Sequence, residues 1–144
     1  MRVLLQRCKE SKVSIKSKIV GEIKSGLVIF VGFEKEDSKE NIVFMIDKIL
    51  NFRIFNDTNQ KMNLSIKDIN GSILIISQFT LCAETKKGRR PSFLKATNPE
   101  KSFQLNNLFI KKLQKVINVQ SGIFGQEMQV ELINDGPATF ILES

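Results

Sequence analysis

The segment SQFTL, residues 77–81, ends the strongest strand pattern of the chain with two hydroxyl groups and a carboxamide. The hydroxyl of Thr80 is a candidate nucleophile, although no base lies near it in the sequence. Gln78 cannot exchange protons, but its amide can donate hydrogen bonds. Polar groups at the end of an apolar strand are costly unless they find partners or face a cleft. The segment therefore indicates either a catalytic strand end or a strand that simply emerges into solvent.

The chain contains no histidine. This absence excludes Ser-His-Asp and Cys-His catalysis, together with every histidine-ligated zinc site. The two cysteines, Cys8 and Cys82, cannot supply a four-thiolate zinc site, and we expect them to be reduced thiols. We therefore expect no metal and no cofactor, and an enzyme with this sequence lacks the usual general base.

A basic loop follows SQFTL, with Lys86, Lys87, Arg89 and Arg90 inside five positions. The whole chain carries 22 Lys and Arg against 15 Asp and Glu, which gives a net charge of +7. This excess favours polyanionic partners, of which nucleic acid is the commonest. The alternative is a lysine-rich surface that only keeps the protein soluble.

A Gly-Pro pair, Gly136 and Pro137, lies between two strand-like segments in NDGPAT, residues 134–139. Proline has no backbone N–H, so Pro137 marks a bulge, a turn or a cis bond. Glycine allows the backbone to approach another group closely. The alternative is an ordinary hairpin turn.

Apolar periodicity predicts strands separated by two helices. The strands are predicted at 2–8, 12–16, 18–23, 26–33, 52–55, 71–81, 128–135 and 137–143, with a hairpin turn at 16–18. The first helix starts at Asp37 or Ser38, and the second covers 99–117. The residues expected on the apolar faces of these helices are Ile42, Met45, Ile46, Ile49 and Leu50 in the first, and Phe103, Leu105, Leu108, Phe109, Leu113 and Val116 in the second.

The strand over 71–81 is predicted to be central and buried. Strand alternation then places Ser77 and Phe79 on one face and Gln78 and Thr80 on the other. The order of elements predicts an α+β fold with antiparallel or mixed sheets, in a single domain over 1–144. Because no signal peptide and no membrane-length apolar run is visible, we expect a cytoplasmic protein.

Three segments taken together, SQFTL, GRRPSF (88–93) and NDGPAT, resemble the signature segments of the D-aminoacyl-tRNA deacylases. The dipeptide QR at 6–7 and FRIFND…KMN at 52–63 are similar to this family as well, and the resemblance runs from Met1 to Ser144. It implies a homodimeric editing enzyme, without cofactor, that hydrolyses the ester between a D-amino acid and tRNA. It also implies β-sheets that form a barrel-like body, with two main helices packed alongside.

The resemblance assigns roles to residues of this chain. Ser77, Gln78, Phe79 and Thr80 would line the site that binds the aminoacyl ester, and Arg7 would support it. The Gly-Pro pair, with a cis bond, would enter the site of the partner subunit as a wall that admits hydrogen and nothing larger. Such a wall rejects every L-aminoacyl-tRNA but cannot reject glycyl-tRNA, including glycine mischarged on the tRNA for alanine.

Two chemical routes remain open: Thr80 attacks the ester, or the 2′-OH of the tRNA assists an attacking water. The missing histidine favours the second route. Lys86, Lys87, Arg89 and Arg90 would bind phosphates of the tRNA near its aminoacylated 3′ end, and neither DNA nor a membrane is expected as a partner. The rival hypotheses are a non-catalytic, basic, dimeric RNA-binding module and a hydrolase of small esters.

Overall fold

The computed structural model describes residues 1–86 and 88–144, so the predicted RNA contact Lys87 lies outside the described residues. The strands are β1 (Arg2–Ile15), β2 (Lys18–Ile23), β3 (Gly26–Gly32), β4 (Phe55–Asn56), β5 (Met62–Leu64), β6 (Ser72–Ser77), β7 (Val119–Ser121) and β8 (Gln129–Glu143). The helices are α1 (Lys39–Asn51) and α2 (Pro99–Leu113).

The two longest strands, β1 and β8, run antiparallel along almost their whole length. On its other side, β1 pairs with β3 through its first half and with β2 through its second half. Strands β6 and β7 continue the sheet beyond β3 in parallel pairing. The order is therefore β2-β1-β3-β6-β7, with β8 beside β1, while β4 and β5 form a separate small hairpin.

This sheet curls until its ends nearly meet. A Cβ atom on Gly21 of β2 would lie 3.1 Å from the carbonyl oxygen of Ser121 in β7 and 3.2 Å from Leu74 Cδ1. Glycine permits this close approach because it has no side chain. The predicted α+β fold, a barrel-like body of mixed sheet with two helices alongside, is confirmed.

Apolar side chains fill both faces of the central strands. Leu27 and Ile29 of β3, with Ile73 and Ile75 of β6, belong to the larger core, which the helices cover. The alternate residues of the same strands point into the barrel, where Val28, Leu74 and Ile76 pack with Cys8, Val13 and Ile23. Strands buried on both faces read as continuous apolar runs, which is why this region gave the clearest strand pattern.

Both helices begin close to their predicted positions. Ser38 caps α1 and forms a capping box with Asn41, while Asp37 instead binds the amino group of Met1. Asn98 caps α2 by accepting a hydrogen bond from the backbone N–H of Lys101. All five residues predicted for the apolar face of α1 are buried.

The second helix differs from its prediction, because it ends at Leu113 rather than at 117. Val116 lies beyond its end and is 59% exposed, and Phe103 is 48% exposed, with its ring 5.4 Å from that of Phe124. Leu105, Phe109 and Leu113 are buried as expected. No helix in the described residues is long and apolar enough to cross a membrane.

Several strand boundaries were wrong. The segments 2–8 and 12–16 form one strand, because the polar residues Lys9 and Glu10 lie in an exposed irregularity of the pairing rather than in a turn. The segments 128–135 and 137–143 are likewise one strand, β8, that continues through the Gly-Pro pair. The predicted strand at 52–55 is reduced to Phe55 paired with Leu64, since Phe52 caps the end of α1. The hairpin at 16–18 is confirmed, with positive φ at Lys16 and Ser17.

Candidate active site

The strand β6 stops at Ser77, where its parallel neighbour β3 also ends. The backbone N–H of Gln78 donates a last hydrogen bond to the carbonyl of Val31 at 2.7 Å, and residues Phe79–Cys82 then form a short 3-10 helix. The prediction that 71–81 is one strand is therefore wrong beyond Ser77. The predicted alternation of Gln78 and Thr80 against Ser77 and Phe79 is wrong with it, because a 3-10 helix turns about every three residues.

This 3-10 helix brings the side chains of Gln78 and Thr80 together. The amide nitrogen of Gln78 donates a hydrogen bond to the hydroxyl oxygen of Thr80. An amide donor cannot remove the hydroxyl proton, so this contact orients Thr80 without activating it. Among the described residues, no carboxylate or amine forms a hydrogen bond with Thr80.

A cavity of about 560 Å³ opens beside the start of the 3-10 helix. Its floor is the segment Ser77–Phe79, and its two walls come from residues 96–102 and 124–128. The second wall combines apolar groups of Phe124 and Met128 with the polar side chains of Gln126 and Glu127. The floor and first wall add amide and hydroxyl groups from Gln78, Thr97 and Ser102. This composition suits a ligand with an apolar part and a few polar atoms.

Sequence reasoning missed both walls. Ala96, Thr97, Pro99 and Ser102 precede or begin α2, and nothing in their pattern marks a binding role. The wall 124–128 has the sequence FGQEM, a short, glycine-containing stretch of mixed polarity that is too short for a helix and is not alternating. Such a stretch between a helix and a strand was the one available signal for a functional loop.

The Gly-Pro pair lies elsewhere on the chain, is exposed, and has a cis peptide bond. Arg7, only 6% exposed, lies directly behind it. The Nε of Arg7 donates to the carbonyl oxygen of Asp135 at 2.8 Å, and its Nη1 donates to the carbonyl oxygen of Ile54 at 2.7 Å. A Cβ on Gly136 would lie 3.0 Å from Arg7 Nη2, and φ at this residue is +140°, so both space and conformation require glycine.

Asn134 holds the backbone on the other side of the Gly-Pro pair. Its Oδ1 accepts a hydrogen bond from the backbone N–H of Ala138 at 2.7 Å, and its Nδ2 donates to Thr139 Oγ1 at 3.2 Å. Gln6 donates to the same Thr139 hydroxyl at 3.1 Å. The residues on both sides of the Gly-Pro pair are therefore fixed by side-chain hydrogen bonds, although the pair itself faces solvent.

The structure thus places the predicted site residues in two groups. Ser77, Gln78 and Phe79 line the cavity, with Thr80 next to them, while Arg7 holds the Gly-Pro pair. Among the described residues that line the cavity, neither Gly136 nor Pro137 is found. The predicted catalytic and chiral-selection roles of these residues stay predictions.

The basic loop is closed by Glu84 and Ser92, whose backbones exchange hydrogen bonds of 2.8 and 3.0 Å. Lys86, Arg89 and Arg90 are all exposed on it. The backbone N–H of Lys86 donates to Glu84, and this hydrogen bond, together with Lys95, holds the pKa of the Glu84 carboxyl below its usual value. In the part of the chain that the structure describes, no group of three or more Cys, Asp or Glu is placed to hold a metal ion.

An aromatic pair connects the basic loop to the cavity floor. The rings of Phe79 and Phe93 lie 5.0 Å apart, and these side chains are 57% and 37% exposed. Leu94 beside them is 78% exposed.

Both cysteines are free and buried, as predicted. Cys82 ends the 3-10 helix, and Cys8 lies in the barrel core. Burial raises the pKa of each thiol to about 11, and nearby Glu34 adds to the shift at Cys82. Neither thiol has the lowered pKa of a nucleophilic cysteine.

The family model and a curated relative agree on one family. The D-Tyr-tRNA(Tyr) deacylase family matches residues 4–143. A D-aminoacyl-tRNA deacylase from Flavobacterium psychrophilum is 51% identical over 146 residues, which cover 100% of this chain and 97% of that protein. Among solved structures, one described as c-Myc DNA unwinding element binding protein has a TM-score of 0.96 at 34% identity, covering 100% of this chain and 99% of its own. Another, described as a probable eukaryotic D-amino acid tRNA deacylase, has a TM-score of 0.85, covers 98% of this chain and 97% of its own, and at 18% identity shows likeness of fold alone.

The raised thiol pKa values predict that the folded protein resists alkylation. At neutral pH fewer than about one in a thousand of such thiols is ionised, and the thiolate is the reactive form. We expect iodoacetamide at neutral pH to leave both Cys8 and Cys82 unmodified by mass spectrometry, whereas protein unfolded in urea gains two adducts. Rapid labelling of Cys82 in the folded protein would contradict its burial.

Proposed function

Because the chain belongs to the D-Tyr-tRNA(Tyr) deacylase family, we propose that it is a D-aminoacyl-tRNA deacylase that spares L-aminoacyl-tRNA. The observation that carries the proposal is the division of the predicted site into two parts. A cavity lined by Ser77–Phe79 lies in one place, and an exposed, rigidly held Gly-Pro pair projects from another.

The cavity suits the aminoacyl end of the substrate. Its volume of about 560 Å³ has room for a large aromatic side chain as well as the ester. Apolar groups of Phe124 and Met128 would pack against side chains of many kinds, so selection by side chain would be weak. Duplex DNA carries no group that would fill such a cavity, and we therefore propose aminoacylated tRNA as the partner.

We assign chiral selection to the Gly-Pro pair of a second subunit in a homodimer. On a single chain this pair faces solvent, and the outward-facing neighbours Ile133 and Ile141 on the same strand are 51% and 67% exposed. Exposed apolar residues on the strand that carries the Gly-Pro pair are suited to a contact between two copies of the chain. Each cavity would then receive the pair of the partner subunit.

The pair can act as a wall because it cannot move away. Arg7 and Asn134 fix the backbone on both sides of it, and Gly136 presents no side chain. A D-aminoacyl group would turn its α-hydrogen toward this wall, whereas an L-aminoacyl group would turn its side chain there and clash. Selection by exclusion does not depend on which side chain is present.

The chemistry proposed is hydrolysis assisted by the tRNA itself. Water adds to the ester carbonyl, the 2′-OH relays a proton, and the ribose oxygen leaves as a hydroxyl, releasing the D-amino acid. The first N–H groups of a helix have no partner within it, so the backbone N–H groups of Phe79 and Thr80 are suited to bind the oxyanion. The hydrogen bond from Gln78 to Thr80 supports an orienting role for Thr80, not a nucleophilic one.

The basic loop would bind phosphates of the acceptor end. Lys86, Arg89 and Arg90 are exposed, and the aromatic pair joins this loop to the cavity floor. Lys87 is proposed for the same role on its sequence position. Because these contacts are electrostatic, affinity for tRNA should fall steeply as salt rises.

The rival function is a basic RNA-binding module without activity. The exposed pair Phe79 and Phe93 favours it, because aromatic rings beside basic residues bind unpaired bases. Hydrolysis separates the two functions, since a binding module would leave every ester intact.

We expect the purified protein, with EDTA present, to hydrolyse D-tyrosyl-tRNA and glycyl-tRNA but not L-tyrosyl-tRNA. Glycine has hydrogen at both positions of its α-carbon, so the wall cannot exclude it. The release of radiolabelled amino acid from the three substrates measures this directly. Survival of glycyl-tRNA while the D-ester is cleaved would refute the wall, and survival of all three would favour the RNA-binding module.

We expect Thr80→Val to lose less than about tenfold in kcat, because Thr80 only orients the ester. Replacing the terminal 2′-OH of the tRNA by hydrogen should instead remove hydrolysis, since the proton relay is lost. Single-turnover rates on D-tyrosyl-tRNA with and without the 2′-OH make the comparison. Complete loss with Thr80→Val, or a covalent acyl-enzyme trapped on Thr80, would establish the nucleophilic route instead.

A further inference from the structure

We propose that Gly32 and Arg2 are positioning residues that hold the 3-10 helix Phe79–Cys82 in its reactive place. This inference rests on the proposed function, in which the start of that helix binds the ester. Neither residue lines the cavity among the described residues, so neither is a catalytic residue.

Gly32, the last residue of β3, lies directly under the 3-10 helix. A Cβ atom there would come within 2.8 Å of the carbonyl oxygen of Gln78, 2.9 Å of Cys82 Sγ and 3.3 Å of Leu81 Cβ. The residue does not have a positive φ. The requirement for glycine is therefore purely one of space, and any larger residue must push the helix away from β3.

Arg2 holds the other end of the 3-10 helix. Its Nη1 donates a hydrogen bond of 3.3 Å to the carbonyl oxygen of Leu81. Its Nε lies 3.4 Å from a carboxylate oxygen of Glu34 and 3.4 Å from one of Glu143. The guanidinium thus links the end of the helix to the segment after β3 and to the end of β8, in a fork geometry that lysine cannot reproduce.

The segment after β3 also holds one wall of the cavity, residues 96–102, through backbone hydrogen bonds. The carbonyl of Phe33 accepts a hydrogen bond of 3.0 Å from the backbone N–H of Thr97, and the N–H of Lys35 donates to the carbonyl of Lys95 at 3.1 Å. The carbonyl oxygen of Val31 accepts a hydrogen bond from the backbone N–H of Gln78. The continuous backbone from Val31 to Lys35 therefore holds the floor and the wall together, and Gly32 lies between these contacts.

The consequence for catalysis is geometric. A bound ester reacts efficiently only when its carbonyl meets donors and water in the correct arrangement, and a displacement of about 1 Å can cost about a hundredfold in rate. Distant phosphate contacts of the tRNA do not depend on this arrangement. Displacing the 3-10 helix should accordingly lower kcat while leaving tRNA affinity unchanged.

The first test compares Gly32→Ala with Gly71→Ala. Gly71 is a matched control, because a Cβ there would also be crowded, at 3.0 Å from Ile66 and Ile69, but at the opposite end of β6. We expect Gly32→Ala to lower kcat on D-tyrosyl-tRNA by at least about tenfold with the Kd for uncharged tRNA within about twofold of wild type. Gly71→Ala should keep kcat within about twofold. Amide NMR shifts of residues 78–82 should move in Gly32→Ala and not in the control.

The second test uses Arg2, in case Gly32→Ala does not fold. Arg2→Met should lower kcat by at least about threefold, and Arg2→Lys should recover only part of it. Arg53→Met is the control, since Arg53 is exposed and also donates to a backbone carbonyl, that of Asn63 at 2.7 Å. Its kcat should be unchanged.

The outcomes separate this inference from the function on which it rests. An inactive wild-type protein would refute the proposed function, and the amide shifts would still show whether Gly32 and Arg2 hold the helix. An active wild type with kcat unchanged in Gly32→Ala and Arg2→Met would overturn the inference. So would a loss of tRNA affinity as large as the loss of kcat, because that result would indicate general structural damage.

Discussion

The parallel pairing of β3 with β6 is the constraint on which the rest of the molecule depends. Both strands are buried on both faces, between the helix-covered core and the barrel interior. Among the described residues, the pairing of β6 with β3 stops at Ser77, and the next residues Phe79 and Thr80 are exposed. The chain therefore turns at Gln78 and presents the floor of the cavity at the point where the pairing stops. Binding groups placed at the end of a rigid sheet are held more precisely than groups on a free loop.

A second constraint is the buried charge of Arg7. A guanidinium in a nearly closed environment is tolerated only when its donors are satisfied. Here its partners are two main-chain carbonyls, the side-chain oxygen of Asn56 at 3.3 Å from Nη1, and the carboxylate of Asp135 at 3.5 Å from Nε. Because this charge must be paired, Arg7 fixes the backbone beside the Gly-Pro pair. The exposed pair is thereby held by a buried side chain. The rigidly held Gly-Pro pair and the cavity thus lie on different parts of the sheet. A homodimer would bring the pair of one subunit to the cavity of the other.

The sequence allowed much of the fold to be predicted, and the reasons for success and failure are local. Strands β2 and β3, the capped start of α1 and the turn at 16–18 follow from short-range patterns and were correct. The joining of 2–8 with 12–16 was missed, because exposed residues in a strand irregularity look the same in sequence as a turn. The 3-10 helix after Ser77 was missed for another reason. Where a strand ends depends on where its neighbour ends, and the paired residues of that neighbour lie 46 positions earlier in the chain. The floor residues were identified from their motif. The walls at 96–102 and 124–128 are assembled by tertiary contacts, for which the short glycine-containing stretch at 124–128 was the one local signal.

We propose that the Gly-Pro pair of one subunit selects the substrate in the cavity of the other. A mixed dimer, isolated with two different tags, tests it. One subunit carries Pro137→Gly, which frees the wall, and the other carries Phe79→Pro, which removes a backbone N–H from the floor. If the wall acts across subunits, the mixed dimer contains one intact site, so it should cleave D-tyrosyl-tRNA and spare L-tyrosyl-tRNA, although the Pro137→Gly dimer cleaves both. Cleavage of L-tyrosyl-tRNA by the mixed dimer would show that the wall acts on its own subunit and would contradict the account.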